Sequence, residues 1–153
     1  MENMLTAGRR ALLARLSTIT VESGYLTNAG ANLKGGWFNE VVTDRGAAFP
    51  MIVVQKAKGA PPKAGPHAIK VFSGFNVIGA VSAPINDYED AIEALEHDLL
   101  RCLTNTEGVV PGWLPRGITG VTIGAPETFP PAEGMKSATV LIPVHLHTII
   151  QAI

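Results

Sequence analysis

Two histidines near the end of the chain have the spacing that most resembles a chemical site. His145 and His147 lie two positions apart in a predicted strand, residues 137–150. Side chains at i and i+2 of a strand share one face, so the two imidazoles could bind one metal ion. A metal site needs a third ligand, such as His97 or Glu93, and nothing in the sequence brings either close. We therefore expect no metal ligands here, and a half-exposed strand face is the simpler interpretation.

The remaining side chains form no catalytic motif. The sequence contains no nucleophile elbow, Rossmann fingerprint, His-Glu-x-x-His motif or paired-cysteine motif. Cys102 is the single cysteine, and we expect it to be a small buried side chain on the apolar side of a helix. A lone cysteine excludes an intrachain disulfide and fits a reducing compartment. We predict no catalytic residue, no cofactor and no enzymatic activity.

The segment from Asn86 to Leu103 is the most clearly predicted element. Its apolar residues recur at steps of three and four, which is typical of an amphipathic helix. Asn86 is the predicted N-cap, with Glu89 completing a capping box. Six of the thirteen acidic residues of the chain fall between Asp87 and Asp98. Such density favours a solvated or charge-paired face over acid–base catalysis, with Glu93–His97 and Asp98–Arg101 as expected local pairs.

Other patterns predict a first helix, several strands and two long loops. The first helix covers residues 5–17, with Thr6 as a possible N-cap, and a short strand at Ile19 and Val21 precedes irregular or hairpin structure. The later strands are predicted at 49–56, 67–81, 117–124 and 137–150, and the loops at 58–66 and 125–135.

Local details refine these strands. Met51 to Val54 lack polar alternation, so we expect that strand to be covered on both faces. Gly74 is a plausible bulge, and Pro143 suggests an edge strand or a bulge because proline cannot donate to a ladder. The order of elements predicts an α+β fold: an antiparallel or mixed sheet of about four to five strands, packed by two main helices, in a single domain covering residues 1–153.

Charge is distributed unevenly along the chain. The net charge of −1 argues against general nucleic-acid binding, and no apolar run approaches the ~20 residues of a membrane span. The N-terminus lacks a signal-peptide pattern, so we expect a soluble protein made inside the cell. Residues 45–86 contain five basic residues and no acid, and the acidic helix follows. We hypothesise that the basic hairpin of one copy faces the acidic helix of another, with two aromatic residues supplying apolar contact. The hypothetical interface residues are Lys56, Lys58, Lys63, Lys70, Asp90, Glu93, Glu96, Asp98, Trp37 and Phe38.

This layout resembles the lambda-type tail terminator proteins of long-tailed bacteriophages. Four parts carry the resemblance: the first helix running into GYLTNAGANLKGG (24–36), the strand FPMIVVQK, the acid-rich helix DYEDAIEALEHDLLRCL, and the pair LPRGITGVTIG (114–124) and EGMKSATVLIPVHLHTI (133–149). The family's glycine-rich segment often ends in an arginine-containing turn, where this chain has Lys34-Gly35-Gly36.

The resemblance implies a mixed α/β subunit of a hexameric ring in the virion neck. Such a ring is assembled in the host cytoplasm, caps the tail tube and meets the head–tail connector, and DNA can pass through its pore. The resemblance implies no cofactor and no catalytic residue. The alternatives are another neck or minor tail component, such as a head-closure or tail-completion protein, a small oligomeric binding module, or a metal-dependent enzyme using His145 and His147.

Overall fold

The computed structural model describes residues 3–38, 48–82, 88–104, 107–131 and 137–153. This part of the chain forms an α+β domain with a mixed six-stranded sheet, which confirms the predicted fold class but adds strands. In chain order the elements are helix α1 (Met4–Leu16), strands β1 (Leu33–Gly35), β2 (Met51–Gly65) and β3 (Ala68–Ser82), helix α2 (Glu89–Leu103), and strands β4 (Ile118–Ile123), β5 (Glu127–Phe129) and β6 (Ser137–Gln151). No helix within the described ranges is long and apolar enough to cross a membrane.

Both helices begin at other caps than the sequence predicts. Asn3 caps α1, because its Oδ1 accepts from the backbone N–H of Leu5 and Thr6, so the assignment of Thr6 as the cap is wrong. Helix α2 begins at Glu89 with Tyr88 in the cap position, and Tyr88 makes no side-chain capping bond. The predicted capping box is therefore wrong, and Asn86 itself lies outside the described residues. The first residue of α2 differs from the predicted one, whereas the buried side of the helix is the predicted one. Capping residues locate the end of a helix less securely than apolar periodicity locates its buried side.

The sheet has the order β1-β2-β3-β6-β4, and β5 also pairs with β6. Strands β2, β3 and β6 are each fifteen residues long, and β3 pairs antiparallel with both β2 and β6, while the short β1 runs parallel to β2. The predicted loop at 58–66 is wrong, because β2 continues to Gly65 and only Pro66 and His67 form the turn. Part of the predicted loop at 125–135 is also a strand, β5, and residues 132–135 of that loop lie outside the described residues.

Register irregularities lie in β2 and between Ile118 and Gly120 of β4, and not at Pro143. Between Ala57 and Lys63, β2 carries one extra residue at each of two places relative to β3, so the irregularity near Gly74 is a bulge of the opposite strand. Strand β6 is central, and its pairing with β3 is unbroken through Pro143, so the expected edge or bulge is wrong. The Pro143 carbonyl accepts from the Gly124 N–H where β4 has ended and β5 has not begun. The missing proline donor therefore faces a gap between strands.

The two faces of the sheet are packed differently. One face, the helix face, carries the main core: α1 and α2 pack Leu12, Leu16, Leu95 and Leu99 against strand residues such as Ile142. The second face carries a smaller cluster of four buried residues, Met51, Val53, Ile78 and Ala80, with Phe38, Phe49 and Leu141 packed against it. All four residues from Met51 to Val54 are buried and alternate between the two clusters, which confirms that this strand is covered on both faces.

Residues 18–32 cross the end of the domain without forming a strand. Val21–Ser23 and Ala29–Asn32 are short 3₁₀ helices, so the predicted strand at Ile19 and Val21 is wrong. Ile19 is buried in the main core, and its carbonyl accepts from the N–H of Gly30. A Cβ at Gly30 would come within 2.6 Å of the Ser17 carbonyl, so the close approach of the two backbone segments requires glycine there.

Candidate assembly surfaces

The two histidines share the second face of the sheet, as their spacing predicts. His145 and His147 alternate with Val144 and Leu146, which are buried on the helix face. His147 Nε2 lies 2.6 Å from Thr122 Oγ1, and its ring meets the Phe72 ring edge-on at 4.9 Å. Burial, then the nearby charge of Lys70 and that of His145, lower the pKa of His147 from its usual value.

The third metal ligands proposed from sequence are not near these imidazoles. His97 and Glu93 lie on α2, which packs on the helix face, so the sheet separates them from His145 and His147. Among the described residues, no group of three or more His, Cys, Asp or Glu side chains is arranged to hold a metal. The structure thus brings two of the four candidate ligands together and leaves the other two on the far side of the sheet.

Asp98 is a buried anchor and does not belong to an exposed acidic face. Its carboxylate is fully buried, and it accepts from the Leu26 N–H at 2.9 Å, the Thr27 N–H at 2.7 Å and the Thr27 hydroxyl at 2.8 Å. The expected Asp98–Arg101 pair is wrong, since Arg101 donates to the Gly24 carbonyl and lies over the Tyr25 ring. Asp98 therefore fixes residues 24–28 against α2, and its placement in the assembly interface is wrong.

The other three acids of the hypothetical interface lie on the outer side of α2. Asp90 and Glu93 are exposed, and Glu96 is half-buried. With 3.6 residues per turn, the order of side chains around the circumference of α2 is Ala94, Asp90, Glu93 and then Glu96. Asp90 is therefore next to Ala94, and Glu96 is the farthest from it. No basic residue in the described ranges lies within ion-pair distance of these three carboxylates. Asp90 and Glu93 thus form an unpaired acidic flank of α2.

Lys63 and Lys70 lie at the far end of the β2–β3 hairpin. We call this end, residues 58–72 together with 147–151 of β6, the distal arm. Lys63 and Lys70 are cross-strand partners, and each ammonium lies over the Phe72 ring, at 5.8 and 5.7 Å from its centre. Neither lysine forms an ion pair with a described carboxylate. The second face of the distal arm is therefore basic around one aromatic ring.

The helix face of the distal arm is apolar and exposed. Ile69 pairs with Ile150 across the two strands, on the face opposite Lys70 and Phe72. These two isoleucines are 38% and 36% exposed, although each belongs to a strand that is buried elsewhere. The distal arm thus has one apolar and one basic face, and the sequence analysis identified only the basic one. A signal for the apolar face is present in the sequence, because Ile69 directly precedes Lys70 and neighbouring residues of a strand point to opposite faces.

Lys56 and Lys58 do not belong to the same surface as Lys63 and Lys70. Lys56 lies opposite Phe75, whose ring is buried in the main core, and it lines two small pockets together with Arg9 of α1. Lys58 is exposed at the first register shift of β2. The four lysines that sequence reasoning grouped are therefore divided between the base and the tip of the hairpin.

The two aromatic interface candidates also differ. Trp37 is 64% exposed and lines the pocket beside Arg9 and Lys56. Phe38 packs on the second cluster of the sheet, and its N–H donates to the Gln55 side chain. Trp37 remains available for contact with another molecule, whereas Phe38 mainly stabilises the subunit.

An apolar groove lies at the opposite end of the sheet from the distal arm. It has a volume of about 420 Å³ and runs between residues 21–28, the end of β3 and helix α2. Its apolar lining comes from Val21, Leu26, Phe49, Pro50, Val81, Ala91 and Ala94. Val21 and Leu26 are 54% and 59% exposed. Asp98 holds the segment that carries Leu26, so this wall of the groove is fixed to α2 by hydrogen bonds.

Cys102 is buried between the two helices, as predicted. Its thiol approaches the Arg15 carbonyl at 3.3 Å, and the Arg15 guanidinium donates to the Cys102 carbonyl at 2.9 Å. Burial raises the pKa of the thiol, although Tyr25 and Arg15 oppose that shift. A protonated, enclosed thiol is a poor nucleophile, so Cys102 has a structural role in joining α1 to α2.

Comparison of the chain with protein-family models gave no match, and comparison with curated proteins gave none either.

Proposed function

We propose that this protein is a structural virion protein of the tail terminator type, which forms a ring, the hexamer that the resemblance implies, on the end of a bacteriophage tail tube. The ring would join the tail to the head connector. The proposal includes no catalytic step and no cofactor. Its basis is the sequence resemblance together with one structural observation: the subunit carries two different, complementary surfaces that it leaves unpaired.

Those two surfaces are the basic face of the distal arm and the acidic flank of α2. Lys63 and Lys70 lie at one end of β3, whereas α2 packs over Gly79 near the other end, where Leu95 and Leu99 approach that glycine. Unlike surfaces on opposite ends of a subunit favour a head-to-tail contact, which generates a ring when the rotation closes. Exposed ion pairs give register more than affinity, so apolar contacts must supply most of the binding energy.

Charge reversal tests whether these surfaces hold copies together. Native mass spectrometry at physiological salt would compare wild type with Lys63→Glu/Lys70→Glu. The matched control, Lys34→Glu/Arg116→Glu, makes the same change in net charge at exposed positions outside the distal arm. We expect the arm variant to lose the ring and the control to keep it. Rings that survive the arm reversal would exclude these lysines from the contact.

A compensating exchange and direct imaging complete the test. Adding Asp90→Lys/Glu93→Lys to the arm variant should restore association, because both surfaces then carry the opposite charge and attract each other again. Negative-stain images of the wild type should show a six-fold ring with a central pore. A wild-type protein that stays a compact monomer at all concentrations would contradict the proposal.

A further inference from the structure

The tip of the distal arm is amphipathic, with one apolar face and one basic face. Ile69 and Ile150 lie side by side on one face, and Lys63 and Lys70 lie side by side on the other. The isoleucines are exposed beyond the region that the helices cover. An exposed β-branched pair on a rigid three-stranded arm is an apolar contact surface that the subunit itself leaves uncovered.

The groove has a largely apolar lining, and the acidic flank of α2 lies beside it. Val21 and Leu26 form an exposed apolar wall, which the buried Asp98 carboxylate holds in place through the Leu26 and Thr27 N–H groups. The other wall is the side of α2 that carries Ala91 and Ala94, and the acidic flank borders it. A fixed wall matters because a site that is already ordered loses less entropy when it binds.

The distal arm cannot reach the groove of its own subunit. Ile69 lies near the first residue of β3, whereas Val81, which lines the groove, lies near the last. Twelve residues of strand at roughly 3.3 Å each separate the two by about 40 Å. Any contact between the two features is therefore made between copies, and in the ring proposed above it is head-to-tail.

We propose that the distal arm of one copy occupies this groove of a second copy. Ile69 and Ile150 pack against Val21 and Leu26, and Lys63 and Lys70 face the acidic flank of α2. This assignment rests on the head-to-tail assembly proposed above and names the site that receives the arm. The groove supplies the apolar contact that ion pairs alone cannot give.

Association measurements test the apolar half of the contact. Leu26→Asp places a charge on the groove wall, and Val109→Asp is its matched control, because Val109 is equally exposed in a loop that does not line the groove. Sedimentation velocity should show association at least tenfold weaker for Leu26→Asp and for Ile69→Ser, and unchanged for Val109→Asp. Both apolar positions are at the surface, and circular dichroism should confirm that each variant is folded.

Cysteine cross-linking tests the geometry directly, since the native Cys102 is buried. Copies carrying Ile69→Cys would be mixed with copies carrying Leu26→Cys and oxidised, and the same mixture with Val109→Cys would be the control. A covalent dimer in the first mixture only is the expected result. Equal cross-linking in both mixtures, or wild-type affinity in Leu26→Asp, would overturn the arm-in-groove contact while leaving ring formation intact. A wild type that never associates would overturn both proposals.

Discussion

Replacing Asp98 by alanine tests the central claim about the groove wall, that one buried carboxylate holds residues 24–28 on α2. The substitution removes the acceptor of three hydrogen bonds, to Leu26 N–H, Thr27 N–H and the Thr27 hydroxyl. It leaves the helix backbone intact, because alanine favours helix. The loss of stability therefore measures the anchor itself.

The expected loss is about 3 kcal/mol, since hydrogen bonds to a charged group contribute about 1.5–3 kcal/mol each and water can replace part of them. The three hydrogen bonds are only partly buried, so water can satisfy some of the freed donors, and this keeps the estimate well below the sum of three such bonds. For a domain of this size, a loss of about 3 kcal/mol lowers Tm by about 6–12 °C. Asp98→Asn retains one acceptor oxygen but presents an amide donor to the remaining N–H groups, so its loss should be intermediate.

Thermal unfolding followed by circular dichroism measures this loss, with Asp90→Ala as the matched control on the exposed side of the same helix. The control should change the free energy of unfolding by no more than about 0.5 kcal/mol. Amide exchange at Leu26 and Thr27 should also be accelerated in Asp98→Ala, because their N–H groups lose their acceptor. Equal Tm values for the Asp98 and Asp90 variants would refute the anchoring role.

Two further predictions concern packing and pH. Gly79→Ala should lower the free energy of unfolding by about 1–3 kcal/mol, because the added Cβ would lie 2.7 Å from Leu95 Cδ2. Gly35→Ala is the control and should not lower it, because no atom lies within 4 Å of a Cβ there. Equal urea midpoints for the two variants would contradict the close packing at Gly79. Because the folded state lowers the pKa of His147, the unfolded state binds its proton more readily, so stability should fall as pH drops below about 6.5 toward the lowered folded pKa. His147→Gln should reduce the difference in Tm between pH 7.5 and pH 5.5, and an unchanged difference would exclude His147 as its source.

The sequence predicted those helices and strands whose buried residues recur at a regular spacing along the chain. Ile92, Leu95, Leu99 and Cys102 recur at helical spacing because one side of α2 packs on the sheet. Met51 to Val54 lack polar residues because both faces of that strand are covered. By contrast, β1 and β5 are three residues long, too short to show alternation, and their pairing depends on distant strands.

The errors arose where composition conflicts with long-range structure. The prolines and glycines of residues 58–66 indicated a loop, yet β2 continues there, because proline is tolerated on an edge strand, and no described strand pairs with the outer edge of β2 at these residues. Asp98 was grouped with the surface acids, although its partners are backbone groups 71 and 72 positions away in the chain. Its position was informative, since it lies three residues after Leu95 and four before Cys102, within the buried stripe.

The outer edge of β2 beyond Val54 bears on how selective the distal arm can be. No strand in the described ranges pairs with that edge. Two register shifts, Pro61 and Pro62, and the charge of Lys58 interrupt it, and these are devices that discourage aggregation through strand edges. With backbone pairing suppressed, a neighbour must be recognised by side chains, so the exposed arm can be selective for a surface whose shape and charge match it.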